Sequence, residues 1–498
     1  MKIRSTARKW LSLEGLAWLV AVCYGGAYLY VAFRRITYPY DLDFIEDSMF
    51  MQAIQVALGK PVYVAPNADF VPQVYMPLYT ILGGWTFKIV TPSYLPLRLL
   101  SFSATVITAI LIFTISRRIS GDPGISLCAA AVFLAGYRTT GGWYELARVD
   151  ALYVILTLAG AALVVYGKKN LFRLPLAGII LALAFLTKQN GLFFALMVFV
   201  YLLLSEGRQA WAFAVPFALV SALPVSYWDR VSGGWFSTYV FKIAYLSPID
   251  FHRVTATLKD DLFGSMVGLT ILFIIAGISM ILAKRWKGAL IEPWPWFIGA
   301  ALVISIAGRA SVGGNRNNLM PAYAFLCIAP ALAARGMRGW PESWQGAARS
   351  GLFALIIVQF ALTSLIPKYP AGFIPTASMK SAGDRLIQHI AGVHGPVLVL
   401  MHPYYAWLAG KEPAVDIQML WHARLRGEAP LPEDFVARIR EHYYAEIISD
   451  ESSPFETEPE LSALLKSYYT PGGQIPPSES PVTITGVIVH PQKIYLPR

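Results

Sequence analysis

Apolar blocks recur along most of this chain, and they restrict its fold more than any other feature. Each block is roughly 15 to 21 residues long, enough to cross or nearly cross a hydrocarbon layer of about 30 Å as a helix. Of the 498 residues, 56% are hydrophobic and only 14% are charged, whereas soluble domains carry about 25% charged residues. This composition excludes a purely soluble protein and predicts one that spans a membrane many times.

About eleven spans are predicted when the blocks are assigned in order. They cover residues 12–31, 97–116, 123–137, 149–166, 174–187, 191–204, 210–228, 263–283, 294–308, 319–334 and 350–366. The apolar segment 76–90 is predicted to be a juxtamembrane or re-entrant helix, because the charge pattern leaves no place for another crossing. Cys23, Cys128 and Cys327 lie inside apolar blocks, where cysteine behaves as a small hydrophobe and indicates no disulfide or metal framework.

Basic residues between the blocks predict the orientation, since Lys and Arg near span ends are retained on the cytoplasmic side. With a cytoplasmic N-terminus, every inner segment is basic and carries Lys2, Arg4, Arg8, Lys9, Arg117, Arg118, Lys168, Lys169, Arg173, Arg208, Lys284, Arg285, Lys287, Arg335 and Arg338. Arg34 and Arg35 are exceptions on the outer side. The net charge of +11 therefore indicates orientation in a membrane rather than nucleic-acid binding.

From residue 367 the composition becomes that of a soluble α/β domain, which the same parity places outside the membrane. Strands are predicted at 396–401, 446–449 and 482–490 from their apolar and β-branched residues. Pro and Ser residues within 471–481 predict a loop. The expected organisation is a membrane domain, 1–366, with a long first outer loop, 32–96, followed by an extracytoplasmic α/β domain, 367–498.

Four carboxylates fall within seven positions of the first outer loop: Asp41, Asp43, Glu46 and Asp47. They precede a helical pattern that ends at Gly59, a typical helix stop. In one interpretation Asp43 caps this helix and Glu46 completes a capping box. In the other, the carboxylates act chemically at the membrane surface. The loop alone does not decide between these interpretations.

Three further outer segments carry polar or charged residues at membrane depth, where unpaired charges are costly and therefore indicate function. Each also has a plain structural interpretation: a local ion pair, a lysine that snorkels to the headgroups, or an ordinary Gly- and Asn-rich turn. The residues are Arg148 with Asp150, Lys188 with Gln189, and Asn315, Arg316 and Asn317.

In their order along the chain these segments resemble the polytopic GT-C type glycosyltransferases, above all the protein O-mannosyltransferases and the lipid A aminoarabinose transferases. The resemblance covers residues 41–330. It is carried by Asp43 with Glu46 and Asp47, Gly59-Lys60-Pro61, Tyr75-Met76-Pro77-Leu78-Tyr79, Arg148 with Asp150, Lys188 with Gln189, and the segment 314–318 leading into Leu319-Met320-Pro321. The paired Asp-Glu of the family is not reproduced letter for letter. The large outer β domain of the protein mannosyltransferases is missing, which does not support a polypeptide acceptor.

The resemblance implies transfer of a sugar from a polyprenyl-phosphate donor to an acceptor hydroxyl on a glycan, lipid or protein, with inversion at the anomeric carbon. Asp43, Glu46 or Asp47 would be the general base. Arg148, Lys188 and Arg316 would bind the donor phosphate, with Arg98, Lys242 and Arg253 as second choices. Tyr75, Asp150, Gln189, Asn315 and Asn317 would contact substrate. The resemblance requires no metal, although Glu46 and Asp47 are of the type that binds a divalent cation.

Two other functions remain open at this point. A transporter or flippase of a lipid-linked saccharide would also place charges within spans, and a membrane scaffold would explain the C-terminal domain. The chain has no Gly-rich nucleotide fingerprint between a strand and a helix, which agrees with a lipid-linked donor. The transferase is the favoured hypothesis. It predicts an enzyme of the cell envelope that is embedded in the inner (plasma) membrane.

Overall fold

The computed structural model of the protein describes residues 12–244, 248–289, 292–365, 370–425 and 430–498. The N-terminal basic residues Lys2, Arg4, Arg8 and Lys9 lie outside the described residues. The same is true of the predicted boundary at 366–367 and of the side chains of Lys284, Arg285 and Lys287.

The first three quarters of the described chain are helical. The helices are α1 (Leu13–Ile36), α2 (Ile45–Ala57), α3 (Leu78–Phe87), α4 (Tyr94–Ser120), α5 (Pro123–Ala135), α6 (Asp150–Tyr166), α7 (Arg173–Thr187), α8 (Gly191–Glu206), α9 (Trp211–Val231), α10 (Trp235–Ser237), α11 (Phe251–Ala256), α12 (Val267–Ala289), α13 (Pro293–Ala310), α14 (Met320–Leu326), α15 (Ala329–Met337) and α16 (Glu342–Ser364). Each predicted span coincides with one of these helices, or with the pair α14 and α15, so the predicted multi-pass helical fold is confirmed.

Five helical segments in the described chain are long and apolar enough to cross a membrane: Leu13–Ile36, Tyr94–Ser120, Gly191–Val231, Arg316–Met337 and Glu342–Ser364. The 41-residue segment contains two of the predicted spans, α8 and α9. A sixth is added if Phe251–Ser265 and Val267–Ala283, which meet at 91°, form one bent span. The helices α5, α6 and α7 are shorter apolar helices, and α13 accounts for the eleventh prediction.

The tight connection between α4 and α5 shows how local sequence sets the helix ends. Gly121 ends α4 with a φ of 69°, a left-handed conformation that glycine adopts without steric cost. Asp122 then caps α5, because its Oδ1 accepts from the amides of Gly124 at 2.8 Å and Ile125 at 3.2 Å. Pro123 occupies the first helical position, where no amide hydrogen is needed. The chain therefore reverses within about three residues.

The segment predicted not to cross forms the ten-residue helix α3, which at 1.5 Å per residue is only about 15 Å long. It packs against α2, and Gly84 lies so close that an added Cβ would be 2.7 Å from the backbone oxygen of Ala53. Together α2 and α3 form a small layer beside the first turn of α4. This layer supports the acidic segment that precedes it.

The connections that the parity argument assigned to the outer side lie at one end of the helix bundle, here called the loop end. There, the ion pair of Asp43 with Arg148 joins the first loop to the 136–149 connection. The ion pair of Asp150 with Lys188 joins α6 to the residue that follows α7. The polypeptide after residue 370 lies at the same end, where the amide of Val415 donates to the carbonyl of Ala68. The basic Arg117 and Arg118 lie at the other end of α4.

The C-terminal part contains a four-stranded sheet with the order β1-β2-β4-β3. Its strands are β1 (Val397–Val399), β2 (Glu446–Ser449), β3 (Tyr469–Gln474) and β4 (Lys493–Pro497), and its helices are α17 (Ala377–Gly392), α18 (Pro403–Leu408), α19 (Ile417–Leu425), α20 (Glu433–Arg440), α21 (Pro454–Thr457) and α22 (Pro459–Tyr468). The strands β1 and β2 are parallel, while β4 is antiparallel to both β2 and β3. The predicted small α/β arrangement is confirmed.

Two details of the sheet were predicted wrongly. The segment 471–481 is not all loop, because β3 includes Pro471 as an edge strand, the position where a sheet tolerates proline. The segment 482–490 is not a strand. Its amides at Ile484 and Thr485 donate instead to the carbonyl of Leu42, at 3.2 and 2.9 Å. These backbone groups are satisfied by the first loop, which no local sequence pattern could indicate.

The C-terminal part and the first loop share an apolar core. The ring of Tyr404 lies 4.5 Å from that of Phe50 and 4.1 Å from that of Tyr94, measured between ring centroids. Arg35, one of the two exceptions to the orientation rule, is fully buried here. It forms an ion pair with Glu145 and donates to the carbonyl of Phe373 at 3.0 Å. The C-terminal part is therefore built onto the first loop.

We predict that Gly84→Ala lowers the thermal unfolding midpoint of the purified protein in detergent. The new methyl group must displace α2 or α3, and overpacking of this kind costs about 1–3 kcal/mol. The matched control is Gly299→Ala in α13, where an added Cβ meets nothing within 4 Å and the better helix propensity of alanine leaves the midpoint unchanged or higher. Equal midpoints for the two variants would contradict the close packing of α2 and α3.

Candidate active site

The acidic segment connects α1 to α2, and its four carboxylates face three different parts of the protein. All are buried, with Asp41, Asp43, Glu46 and Asp47 between 0% and 2% exposed. Asp43 faces the connection before α6, and Glu46 faces α4. Asp41 and Asp47 face the C-terminal part. The four residues therefore have three separate environments, although they are neighbours in sequence.

Asp43 is held by groups on both carboxylate oxygens. Its Oδ1 accepts from Arg148 Nη1 at 2.9 Å and from the amide of Ile45 at 3.0 Å, while its Oδ2 accepts from Trp143 Nε1 at 2.7 Å. Burial raises the pKa of Asp43 above its usual range, although the charge of Arg148 and the Trp143 hydrogen bond oppose this. An added Cβ on Gly486 would lie 2.6 Å from Oδ2, so only glycine permits the approach of this segment.

Asp150 connects three of the other candidate residues. Its Oδ1 accepts from Lys188 Nζ at 2.7 Å and from Asn317 Nδ2 at 3.1 Å, and its Oδ2 lies 3.3 Å from Arg148 Nε. Lys188 also donates to Asn318 at 3.1 Å. Since Arg148 binds Asp43 as well, the four charged groups form one continuous chain from Asp43 to Lys188. The two negative charges of the aspartates balance the two positive charges of Arg148 and Lys188.

Tyr75 also reaches this chain, because Arg148 Nη2 donates to its hydroxyl at 3.2 Å. The side-chain amide of Gln189 instead donates to two backbone carbonyls, those of Val74 and, at 2.9 Å, Val240. Gln189 thus holds the first loop against the segment after α9. Its position favours a role in shaping the site over direct substrate contact through that amide.

Glu46 is the candidate base that the geometry argues against. Both of its oxygens bind Arg98, at 2.8 and 2.6 Å, and they also accept from the amides of Leu42 and Ala147 at 2.8 Å each. Arg98 is equally buried, and its remaining donors bind the carbonyls of residues 35, 38 and 40. These bonds occupy both oxygens of Glu46 and the donors of Arg98, which favours a structural role for both side chains over contact with a substrate or a metal ion.

The capping interpretation of the acidic segment is partly realised. Asp43 Oδ1 accepts from the amide of Ile45, the first residue of α2, but Glu46 reaches back to Leu42 and not to Asp43. Asp47 turns away from the other two and accepts from the amide of Tyr404 at 3.0 Å. Capping and ion pairing therefore coexist in one segment.

Arg316 and Asn315 lie outside the charged chain. Arg316 approaches Asp261 at 3.6 Å, beside Arg309 at 3.5 Å, and the side chain of Asn315 accepts from the amide of Arg316 at 2.8 Å. The second-choice cation Arg253 donates to the carbonyl of Ser311. These contacts join the segment before α12 to the C-terminal end of α13 and the turn after it. Of the predicted turn residues Asn315, Arg316 and Asn317, it is Asn317 that contacts Asp150.

Several residues of the site were missed from sequence. Trp143, Asn318 and Gly486 contact the charged chain directly, and His402 faces Asp41. Asn318 belongs to the segment 314–318 that carries the resemblance, and Trp143 lies shortly before Arg148 in sequence, so both are close to residues that the sequence did indicate. Gly486 and His402 are more than 350 positions from the acidic loop, and the sequence carries no signal that brings them there.

Comparison with known proteins agrees with this fold. Residues 75–228 match the family model described as dolichyl-phosphate-mannose-protein mannosyltransferase. The structure of ArnT from Cupriavidus metallidurans bound to undecaprenyl phosphate superposes with a TM-score of 0.60 at 11% identity, covering 94% of this chain and 97% of that one. A search of curated proteins gave no significant match.

A second solved structure also resembles the chain. It is the archaeal oligosaccharyltransferase AglB from Archaeoglobus fulgidus, in complex with an inhibitory peptide and a dolichol-phosphate. The TM-score is 0.53 at 11% identity, and the match covers 95% of this chain and 74% of that one. The class is therefore that of multi-pass membrane proteins with the GT-C fold. The resemblance to GT-C type proteins that was inferred from sequence is confirmed by the family model over residues 75–228 and by the two solved structures at the level of the fold.

We predict that Glu46→Gln strongly destabilises the protein, since it leaves the charge of Arg98 buried without its counter-ion. Removing one partner of a buried pair costs about 3–5 kcal/mol, which a thermal unfolding midpoint in detergent would report as a large drop. Glu433→Gln, an exposed glutamate at the start of α20, is the matched control and keeps the wild-type midpoint. A Glu46→Gln variant as stable as wild type would show that Glu46 is not structural.

Proposed function

We propose that this protein is a membrane glycosyltransferase that moves a sugar from a polyprenyl-phosphate donor to an acceptor hydroxyl. The observation that carries the proposal is the buried chain of Asp43, Arg148, Asp150 and Lys188 at the loop end. Burying ionisable side chains is costly even when they are paired, so a buried group of four near the membrane indicates a functional site. The lipid phosphates bound to ArnT and AglB support a lipid-phosphate donor, and the loop end would then face the outer side of the inner membrane.

Asp43 is the proposed general base. Its carboxylate would take the proton of the acceptor hydroxyl while that oxygen attacks the anomeric carbon of the sugar. The bond from that carbon to the phosphate oxygen breaks, and the polyprenyl phosphate leaves with the bonding electrons. One displacement inverts the anomeric carbon and needs only one working carboxylate, unlike the pair of a retaining hydrolase. Glu46 is occupied by Arg98, which favours Asp43 among the three acids.

Arg148 is proposed to link donor binding to the base. Without donor, its ion pair with Asp43 at 2.9 Å stabilises the carboxylate and weakens it as a base. A donor phosphate beside Arg148 and Lys188 competes for these cations. As Arg148 turns to the phosphate, Asp43 regains proton affinity, and the positive groups stabilise the charge that develops on the leaving phosphate. Asp150 and Asn318, which accept from Lys188 Nζ, position Lys188 for this task.

The proposal covers glycans, lipids and proteins as acceptors, and it does not depend on which sugar is transferred. Asp43 is closed over by the segment around Gly486 of the C-terminal part. An acceptor that reaches Asp43 must therefore pass this segment, which supports a role for the C-terminal part in acceptor recognition. Tyr75, whose hydroxyl binds Arg148, is proposed to contact the donor sugar or its phosphate.

We predict that Asp43→Asn lowers sugar transfer by about 100-fold or more, the usual contribution of a general base. The test compares cells that lack the protein with cells that express wild type or the variant, using mass spectrometry of envelope glycans, lipids and proteins. A hexose or pentose modification should appear with wild type only.

The matched control for this experiment is Asp69→Asn, also in the first loop, where a 67% exposed carboxylate pairs with Arg438. It should keep full transfer. Wild-type levels of product in Asp43→Asn would remove Asp43 as the base. If wild type makes no glycosylated product and instead moves a labelled lipid-linked saccharide across vesicles, the protein is a flippase.

We predict that Lys188→Ala weakens binding of undecaprenyl phosphate to the purified protein by on the order of tenfold or more, since a buried charge-assisted contact is lost. Ligand-induced thermal stabilisation as a function of lipid concentration gives the dissociation constant. Lys60→Ala, an exposed lysine in the first loop, should bind like wild type. Identical constants for Lys188→Ala and wild type would exclude Lys188 from the phosphate site.

A further inference from the structure

Four buried residues meet where the first loop contacts the C-terminal part, and we call them the junction cluster: Asp41, Asp47, His402 and Asp450. Their exposed fractions are 2%, 0%, 0% and 1%. His402 follows β1 and Asp450 follows β2, and because these strands are parallel their carboxyl ends lie at the same edge of the sheet. The first loop supplies the other two carboxylates. Asp43 faces Arg148 and Trp143 instead, so this cluster is separate from the proposed base.

Both ring nitrogens of His402 face carboxylates. Nδ1 lies 3.0 Å from Asp41 Oδ2, and Nε2 lies 3.0 Å from Asp450 Oδ2. A neutral imidazole has one N–H, so it can donate to only one of these oxygens. The other nitrogen would then direct its lone pair at a carboxylate, which is repulsive. The arrangement therefore requires a second proton on the ring, a proton on the facing carboxyl group, or a metal ion beside one nitrogen.

The carboxylates distinguish a metal ion from the two protonated arrangements. Asp41 Oδ1 accepts from the hydroxyl of Tyr405, and Asp47 Oδ1 accepts from the amide of Tyr404 at 3.0 Å. Asp47 Oδ2 is buried and has no hydrogen-bond partner among the described residues. A second proton on His402, or a proton on Asp41, satisfies the contact between these two residues but leaves this oxygen of Asp47 unpaired, at a cost of several kcal/mol for a buried charge. A metal ion would satisfy both acids at once.

The geometry suits such an ion. One ligand atom from each of Asp41, Asp47 and His402 lies within 4.8 Å of the others. Each acid keeps one oxygen bound to a protein donor and leaves the second for coordination. Asp450 accepts from Nε2 of His402, the outer-carboxylate arrangement that fixes the tautomer and directs the other nitrogen to a metal. The positive charge also offsets a cluster of three carboxylates and one imidazole.

We propose that Asp41, Asp47 and His402 bind one divalent transition-metal ion, with Asp450 orienting His402. Two carboxylates and one imidazole are ligands for Zn²⁺ or Mn²⁺, whereas Mg²⁺ and Ca²⁺ prefer oxygen ligands alone. The ion fastens the first loop to the C-terminal part. Because Asp43 lies between Asp41 and Asp47 in sequence, the ion fixes the path of the segment that carries the proposed base. Its role is to position that segment.

The direct test is the metal content of the purified full-length protein. Cells are grown with added Zn²⁺ or Mn²⁺, the protein is gel-filtered in metal-free buffer, and bound metal is measured by inductively coupled plasma mass spectrometry. Wild type should hold about one ion per chain. Asp47→Asn keeps the shape of the side chain and should hold at least about fivefold less, since a lost ligand weakens metal affinity. Asp69→Asn should hold as much as wild type.

A second measurement uses wild type alone, so that it does not depend on a variant that folds. EDTA should lower the thermal unfolding midpoint of wild type by several degrees, and Zn²⁺ or Mn²⁺ should restore it, because a ligand that binds only the folded state stabilises it. The proposal is overturned if wild type contains no stoichiometric metal and EDTA leaves its midpoint unchanged, or if Asp47→Asn retains the wild-type content. Neither readout needs sugar transfer, so failure of the transferase proposal would not affect this result.

Discussion

The ion pair between Glu46 and Arg98 determines the path of the first loop, and the rest of the site depends on that path. Arg98 lies in the first turn of α4, and besides Glu46 it binds three carbonyls of the chain that leaves α1. Glu46 in turn receives the amide of Ala147 from the connection before α6. One buried pair thus joins three separate segments. A pair of this kind specifies a structure strongly, because loss of either partner leaves an uncompensated charge in an apolar environment.

Once the loop is fixed, charge balance directs its other acids. Asp43 and Asp150 alternate with Arg148 and Lys188, and the buried Arg35 is matched by Glu145. Arg35 seemed to contradict the orientation rule only because that rule describes hydrated Lys and Arg near span ends. A fully buried arginine with its own carboxylate contributes to packing and not to topology. The same reasoning explains why the acids of one short segment have such different partners.

The spans were predictable because the length of an apolar block is a local property of the sequence. The roles of the acids were not, since Asp43, Glu46 and Asp47 look alike in sequence and differ only in the groups that face them. Glu46 meets Arg98, which is 52 positions away. Asp47 meets Tyr404, which is 357 positions away. The strand β3 was missed for a similar reason, because Pro471 and two glycines indicate a loop until a partner strand pairs with them at a sheet edge.

The attachments of the C-terminal part affect how a substrate can reach Asp43. The segment around Gly486 covers Asp43, and it is held by the carbonyl of Leu42 and by the bond from Arg35 to Thr485 at 2.9 Å. These anchors belong to the first loop and to the end of α1, so the cover is attached to the same segment that carries the proposed base. In the proposed transfer, such a cover would exclude water from the activated sugar, and an acceptor would have to displace it to reach Asp43. Displacement breaks a few hydrogen bonds, which costs less than separating an apolar core.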